Sequence, residues 1–235
     1  MPALLRHLSY VLLPATCLLC GAAGQTRKDL CADCQADLSR PPRPCPLCGL
    51  PMRSSSDQIC ARCLRRCPVW DGLVAAFHYA SPLDQLVFRL KYQGRLDAAR
   101  LLGELLAESV TASRLPRPDC LLPVPLHPER LAERGFNQAL ELARPVARRL
   151  GLPLASGHVW RVRATAPQSG LNARMRRQNL RNAFDAGSAL RGRRVAIIDD
   201  VVTTGSTVAA LTRVLRRVGV RRVDVWALAR AYGPG

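Results

Sequence analysis

Two groups of residues have the types and spacing to do chemistry. Eight of the ten cysteines fall between residues 17 and 63 as four Cys-x-x-Cys pairs: Cys17/Cys20, Cys31/Cys34, Cys45/Cys48 and Cys60/Cys63. A Cys-x-x-Cys turn presents two thiolates to one ion, and zinc takes sulfur ligands in fours. Ten residues separate Cys20 from Cys31 and eleven separate Cys48 from Cys60, and each gap fits one zinc-ribbon hairpin. The pattern predicts about two zinc ions, structural in role because four sulfurs leave no open coordination position. Sequential pairing, 17/20/31/34 and 45/48/60/63, is simplest; a cross-braced pairing remains open. A disulfide framework is the alternative, disfavoured by the regular spacing and by a cytoplasmic reading of the chain. Cys67 and Cys120 are left over, one as a spare thiol beside the second site and one as a small core residue.

The second group is "RRVAIIDDVVTTGST", residues 193–207. "VAIIDD" reads as a short apolar strand buried on both faces, as in a parallel sheet. Open α/β sheets bind ligands at the C-terminal ends of their strands, where Asp199 and Asp200 stand. Carboxylates only accept hydrogen bonds, so a ribose 2′,3′-diol or a hydrated metal ion suits them. Thr203, Thr204, Gly205, Ser206 and Thr207 follow. Small hydroxyl residues and a glycine let backbone N–H groups curl around a phosphate, and the next helix aims its N-terminus there. A diol binder a few residues from a phosphate cradle has the shape of a ribose 5-phosphate site. An N-capped helix after a strand would explain the Ser and Thr residues but not the acids. Neither G-x-G-x-x-G nor G-x-x-x-x-G-K-[ST] occurs.

The elements that must position these residues follow from periodicity. Residues 71–80, 119–126, 193–200 and 221–230 read as strands, and 81–93, 95–110, 136–151 and 206–219 as helices. That alternation predicts a parallel sheet flanked by helices. Residues 161–184 are rich in Arg, Asn and Gln and read as a mobile loop. The division is a Cys-rich module over 1–67 with a short amphipathic lead-in helix, then an α/β domain over 68–235. The ribbons are expected to unfold without disturbing the α/β domain. Across 235 residues no apolar run reaches the roughly 18 residues of a membrane helix. Arg6 and His7 interrupt the apolar N-terminus, unlike a signal peptide. No membrane insertion and a cytoplasmic location are expected. The net charge of +18 favours polyanions such as nucleic acid or phosphorylated ligands. Only Lys28 and Lys91 of the 35 basic residues are lysine.

"VAIIDDVVTTGST" resembles the phosphoribosyl pyrophosphate (PRPP) motif of type I phosphoribosyltransferases. "LKYQGRLDAARLLGELLA", "PVPLHPERLAERGFNQALELAR" and "QSGLNARMRRQNLRNAF", behind the Cys-rich N-terminus, resemble the ComF competence family over almost the whole chain. The resemblance implies a double zinc ribbon joined to a type I phosphoribosyltransferase-like domain. It also implies a role in DNA uptake and natural transformation, with single-stranded DNA and DNA-uptake helicase or recombination proteins as partners. Asp199 and Asp200 match the ribose-binding acids, and Thr203 to Thr207 the 5′-phosphate loop. Arg130 and Arg134, in the pyrophosphate-loop region with His127, become diphosphate candidates. Gln168, Arg177, Asn179 and Phe184 match a loop that covers the site, and magnesium would accompany PRPP. Arg174, Arg176, Arg177 and Arg181 form a candidate DNA patch. Two functions remain open: a nucleic-acid-handling protein with a PRPP-type site, or an active transferase passing ribosyl 5-phosphate from PRPP to a nitrogen nucleophile.

Overall fold

The computed structural model describes residues 14–52, 58–163 and 183–232. The expected lead-in helix falls mostly outside them. In chain order the described helices and strands are α1 (Ala32–Ala36), α2 (Ala61–Arg65), β1 (Gly72–His78), α3 (Leu83–Gln93), α4 (Leu96–Thr111), β2 (Cys120–Pro123), α5 (Pro128–Arg134), α6 (Gln138–Leu150), β3 (Val159–Arg161), β4 (Phe184–Ala186), β5 (Arg194–Val202), α7 (Ser206–Arg217) and β6 (Arg222–Arg230). β1, β6, β5 and β2 lie side by side in that order, and every pairing is parallel. Parallel strands need crossovers, so helices cover both faces.

Alternation along β5 serves both layers. Ala196 and Ile198 pack into the core with α3, α4 and α6, while Val195 and Ile197 pack into the core with α7 and the β3–β4 ribbon. α4 and α6 approach closely at Gly103, where a Cβ would lie 2.5 Å from the Pro145 ring and 2.6 Å from the Leu142 carbonyl. Asn137 caps α6 through its side-chain oxygen and donates its amide to the Val124 carbonyl at 3.0 Å, tying the helix start to the end of β2.

Three expectations change. The strand expected over 119–126 stops at Pro123, because Pro123 and Pro125 bring no N–H to a ladder. The loop expected over 161–184 has strand at both ends, where Arg161 pairs with Phe184 in an antiparallel ribbon. Phe184 is buried beneath the Arg161 guanidinium, 5.6 Å from its ring centre, so it belongs to the core and not to a covering loop. The Cys-rich segment does not stand apart from the sheet either. Cys17, Leu30 and Leu38 join the α3–α4 core, and the Leu73 amide of β1 donates to the Pro46 carbonyl at 2.8 Å.

Candidate functional site

The cysteines gather as two separate tetrads, Cys17/Cys20/Cys31/Cys34 and Cys45/Cys48/Cys60/Cys63, with sulfurs within 4.8 Å of one another in each. This is the sequential pairing. Cys20 and Cys31 sulfurs lie 3.7 Å apart, Cys48 and Cys60 3.5 Å, and Cys45 and Cys63 4.0 Å. Zinc–sulfur bonds of ~2.3 Å in a tetrahedron place sulfurs roughly 3.8 Å apart, whereas a disulfide needs ~2.05 Å. The tetrads therefore fit zinc and not disulfides. Gly21 and Gly49 follow the first pair of each tetrad with φ of 79° and 69°, left-handed turns that glycine adopts without strain. Burial opposes ionisation of Cys17, yet amides of Cys20, Cys31 and Leu19 outweigh it and bring the thiol down to about 6.

The second candidate site lies where β5 passes into α7. Gly205 is the N-cap of α7 at φ 77°. Thr204 and Ser206 hydroxyls share a hydrogen bond of 2.7 Å, and the Ser206 amide meets the Thr204 oxygen at 3.3 Å. α7 buries Val208, Leu211, Val214 and Leu215, so its axis is held and its first amides stay at the strand end. A Cβ on Gly205 would meet Trp70 at 2.8 Å. Glycine is thus required by the indole beneath the turn as well as by φ.

That indole leads to the second tetrad. Trp70 donates its Nε1–H to the Leu47 carbonyl at 2.6 Å, inside the Cys45–Cys48 knuckle. Arg230, only 4% exposed, donates from Nε to the Cys48 carbonyl at 2.9 Å. Its Nη1 reaches the carbonyls of Val202 at 2.8 Å, Ala231 at 2.9 Å, and Thr203. One buried guanidinium therefore joins a zinc-type knuckle to the first residue of the phosphate-type loop.

The period-two alternation of β5 breaks at the two acids: Val201 packs with Ala196 and Ile198, and Val202 with Val195 and Ile197. Asp200, 5% exposed, turns toward α3 and pairs with the Lys91 ammonium at 2.9 Å; its other oxygen accepts the Val201 amide at 2.6 Å. Asp199 accepts the Asp200 amide at 3.0 Å and feels the charge of Arg161 on β3. Burial, then the Asp200 charge, push the Asp199 carboxyl up to about 8. Burial also opposes the charge on Lys91, but the pull of Asp200, with help from Asp199, prevails and raises its pKa. A ligand that engages both acids must bridge the strand end.

Arg130 and Arg134 project from α5, whose N-cap is His127. They line a cleft of about 320 Å³ with Lys91, Tyr92, Gln93, Gly94, Glu133 and Phe136. Arg134 also donates to the Gln138 side chain at 2.8 Å. Arg161 feels the charges of both Arg130 and Asp199, so α5 approaches the strand end from the β3 side. Gln168, Arg177, Asn179 and the arginines at 174, 176 and 181 lie outside the described residues. Sequence reasoning missed Lys91, Arg161 and Arg230. Composition held a signal for the first, since Lys91 is one of two lysines among 35 basic residues.

Residues 8–69 match the double zinc ribbon domain family, and residues 137–232 match the phosphoribosyl transferase domain family. The chain is 41% identical over 223 residues to a DNA utilization protein YhgH of Salmonella typhi, covering 93% of this chain and 98% of that one. It is 39% identical over 223 residues to competence protein F of Haemophilus influenzae, covering 92% and 96%. The chain belongs to the ComF family. Within the family it is also similar to competence protein ComFC of Streptococcus pneumoniae, 26% identical over 234 residues and covering 91% and 99%. The ComF chain thus joins zinc-ribbon-like Cys tetrads to a type I phosphoribosyltransferase-like fold. Among the described residues no helix is long and apolar enough to cross a membrane.

Proposed function

We propose that this ComF-family chain binds PRPP or a related ribose 5-phosphate at the β5–α7 corner and acts on single-stranded DNA in DNA uptake or use. One observation carries the ligand reading: a left-handed glycine turn joins a strand that bears two carboxylates near its C-terminal end to the N-terminus of a 12-residue helix. Asp199 and Asp200 accept ribose hydroxyls, the amides of Thr203 to Thr207 meet the 5′-phosphate, and Arg130 and Arg134 meet the diphosphate. Gln168, Arg177 and Asn179 are proposed to close over it. Carboxylate oxygens suit a hard divalent ion, which at Asp200 would have to displace the Lys91 ammonium that pairs with it at 2.9 Å. Magnesium there would neutralise diphosphate charge. The tetrads would hold about two zinc ions as structural centres. The names of the relatives and the +18 charge support the DNA reading.

The test is thermal denaturation of zinc-loaded protein with and without magnesium and PRPP. Wild type should gain stability; Asp199→Asn with Asp200→Asn should lose that gain. Equal gains in both would end the ribose-site reading. Pyrophosphate release measured against a panel of bases and amines separates a binder from a transferase.

A further inference from the structure

The outer face of α3 has an unusual composition. The helix buries Leu83, Leu86, Val87 and Leu90, so its opposite face should be polar. Instead Phe88 and Tyr92, one turn apart, stand 53% and 68% exposed, with ring centroids 5.0 Å apart. Aromatic residues make up 5% of this chain, so two adjacent ones turned to solvent are not a by-product of abundance. The Arg134 guanidinium sits 5.8 Å from the Tyr92 ring centre. Phe136 stands beside Gly94, near enough that a Cβ there would touch its ring at 3.9 Å. Tyr92, Phe136, Arg130, Arg134 and Lys91 then line one cleft of about 320 Å³, in which Glu133 is the sole acidic residue among the described ones. A volume of that size falls in the ~300–1,000 Å³ range of small-ligand sites. Lys91 joins the cleft to Asp200, so the cleft is continuous with the end of β5.

Rings with arginines among them fit one chemical class best. Single-stranded DNA offers flat base faces and a phosphate at each step, and proteins hold it with aromatic platforms inside basic grooves. Duplex DNA keeps its base faces stacked inside and presents only phosphates and base edges. We propose that Phe88, Tyr92 and Phe136 form a stacking surface for single-stranded DNA beside the phosphoribosyl site, with Arg130 and Arg134 shared between DNA phosphate and the diphosphate. This rests on the DNA reading above and gives it a location outside the arginine-rich 174–181 segment.

The experiment is fluorescence anisotropy on full-length, zinc-loaded protein. Three probes are used: oligo-dT, an abasic strand of equal length, and a duplex, each at several salt concentrations. Wild type should bind oligo-dT more tightly than the abasic strand. Phe88→Ala with Tyr92→Ala should weaken oligo-dT binding by about tenfold or more and erase the preference over the abasic strand. Its salt slope and zinc content should stay at wild-type values, and Tyr92→Phe alone should keep wild-type binding. Arg130→Gln with Arg134→Gln should instead flatten the log–log salt slope by about 0.7 for each phosphate no longer neutralised. If wild type binds no DNA at low salt, the DNA reading fails and this proposal goes with it. If wild type binds but the double-alanine variant binds equally, the surface alone is wrong. Self-association of wild type that the alanine variant abolishes would assign the rings to a second copy of the chain and overturn the proposal.

Discussion

The two cysteine tetrads have the same ligands and nearly the same spacing, but they are fastened to the α/β body by different physics. The first docks on α3 and α4 through apolar side chains, Cys17, Leu30 and Leu38 in their shared core, with ion pairs around them. Lys28 pairs with Glu108 at 3.2 Å, Arg100 pairs with Asp29, and Arg89 reaches the Leu18 carbonyl. The second docks through buried groups: Trp70 on Leu47, Leu73 on Pro46, and Arg230 on Cys48. Rim pairs in water contribute ~0–1 kcal/mol each, whereas stranding one partner of a buried charge costs about 3–5 kcal/mol. Burial depresses the Arg230 pKa, and the nearby Cys48 charge opposes that effect. Zinc-bound thiolates would supply a standing negative charge at that place. The first ribbon extends the α3–α4 core, and the second is part of the support for the phosphate-type loop.

Losing each tetrad in turn tests this contrast most severely. Cys45→Ser with Cys48→Ser should unfold the second ribbon and abolish stabilisation by PRPP, because the loop loses its anchor. Cys17→Ser with Cys20→Ser should lose one zinc and keep that stabilisation. Equal loss of ligand response in both variants, read by calorimetry beside metal analysis, would refute the contrast.

Arg230→Met should come next. It leaves four carbonyls without their shared donor, and a destabilisation of about 3–5 kcal/mol by urea unfolding is expected. A loss under about 1 kcal/mol would show that the guanidinium is not a structural bridge.

A further effect is expected from pH. The folded pKa of Asp199, about 8, lies above its unfolded value of roughly 3.9. Between those values the unfolded chain releases a proton that the folded chain keeps, so this group lowers stability as pH rises from about 4 to about 8. Asp200, Lys91 and Arg161 set the size of the change. Asp199→Asn should flatten the slope of stability against pH over that window. A variant slope as steep as wild type would place the titration elsewhere.

The smallest difference lies in single side chains. Trp70→Phe removes one hydrogen bond to the second knuckle and should cost about 1 kcal/mol. Lys28→Met removes one partly exposed ion pair at the first ribbon and should cost ~1 kcal/mol or less. Chemical denaturation of both variants would invert the comparison if Lys28→Met proved the costlier.

Much of the candidate site was legible because its signals are local. A Cys-x-x-Cys turn brings two sulfurs together whatever surrounds it. An apolar strand ending in Asp199 and Asp200, then a small-residue turn and an amphipathic helix, states its own direction. The four sheet strands and the helices packed against them could be read from period and turn residues, while α5 and the β3–β4 ribbon could not. Three-residue strands such as Val159–Arg161 and Phe184–Ala186 are too short to show a period, and 22 residues separate them.

The sequence alone determined which residues could serve as metal ligands, which strand ends in acids, and the class of fold. Tertiary structure decided which groups face them. It chose sequential over cross-braced tetrads and set Lys91 against Asp200. It also put Arg230 on the Cys48 carbonyl, 182 positions away along the chain. The physical reason is range. Turns and helical periods act over a few residues and are written in spacing. A buried ion pair or guanidinium bridge forms only when packing has brought distant elements together, and one chain's spacing carries no record of that.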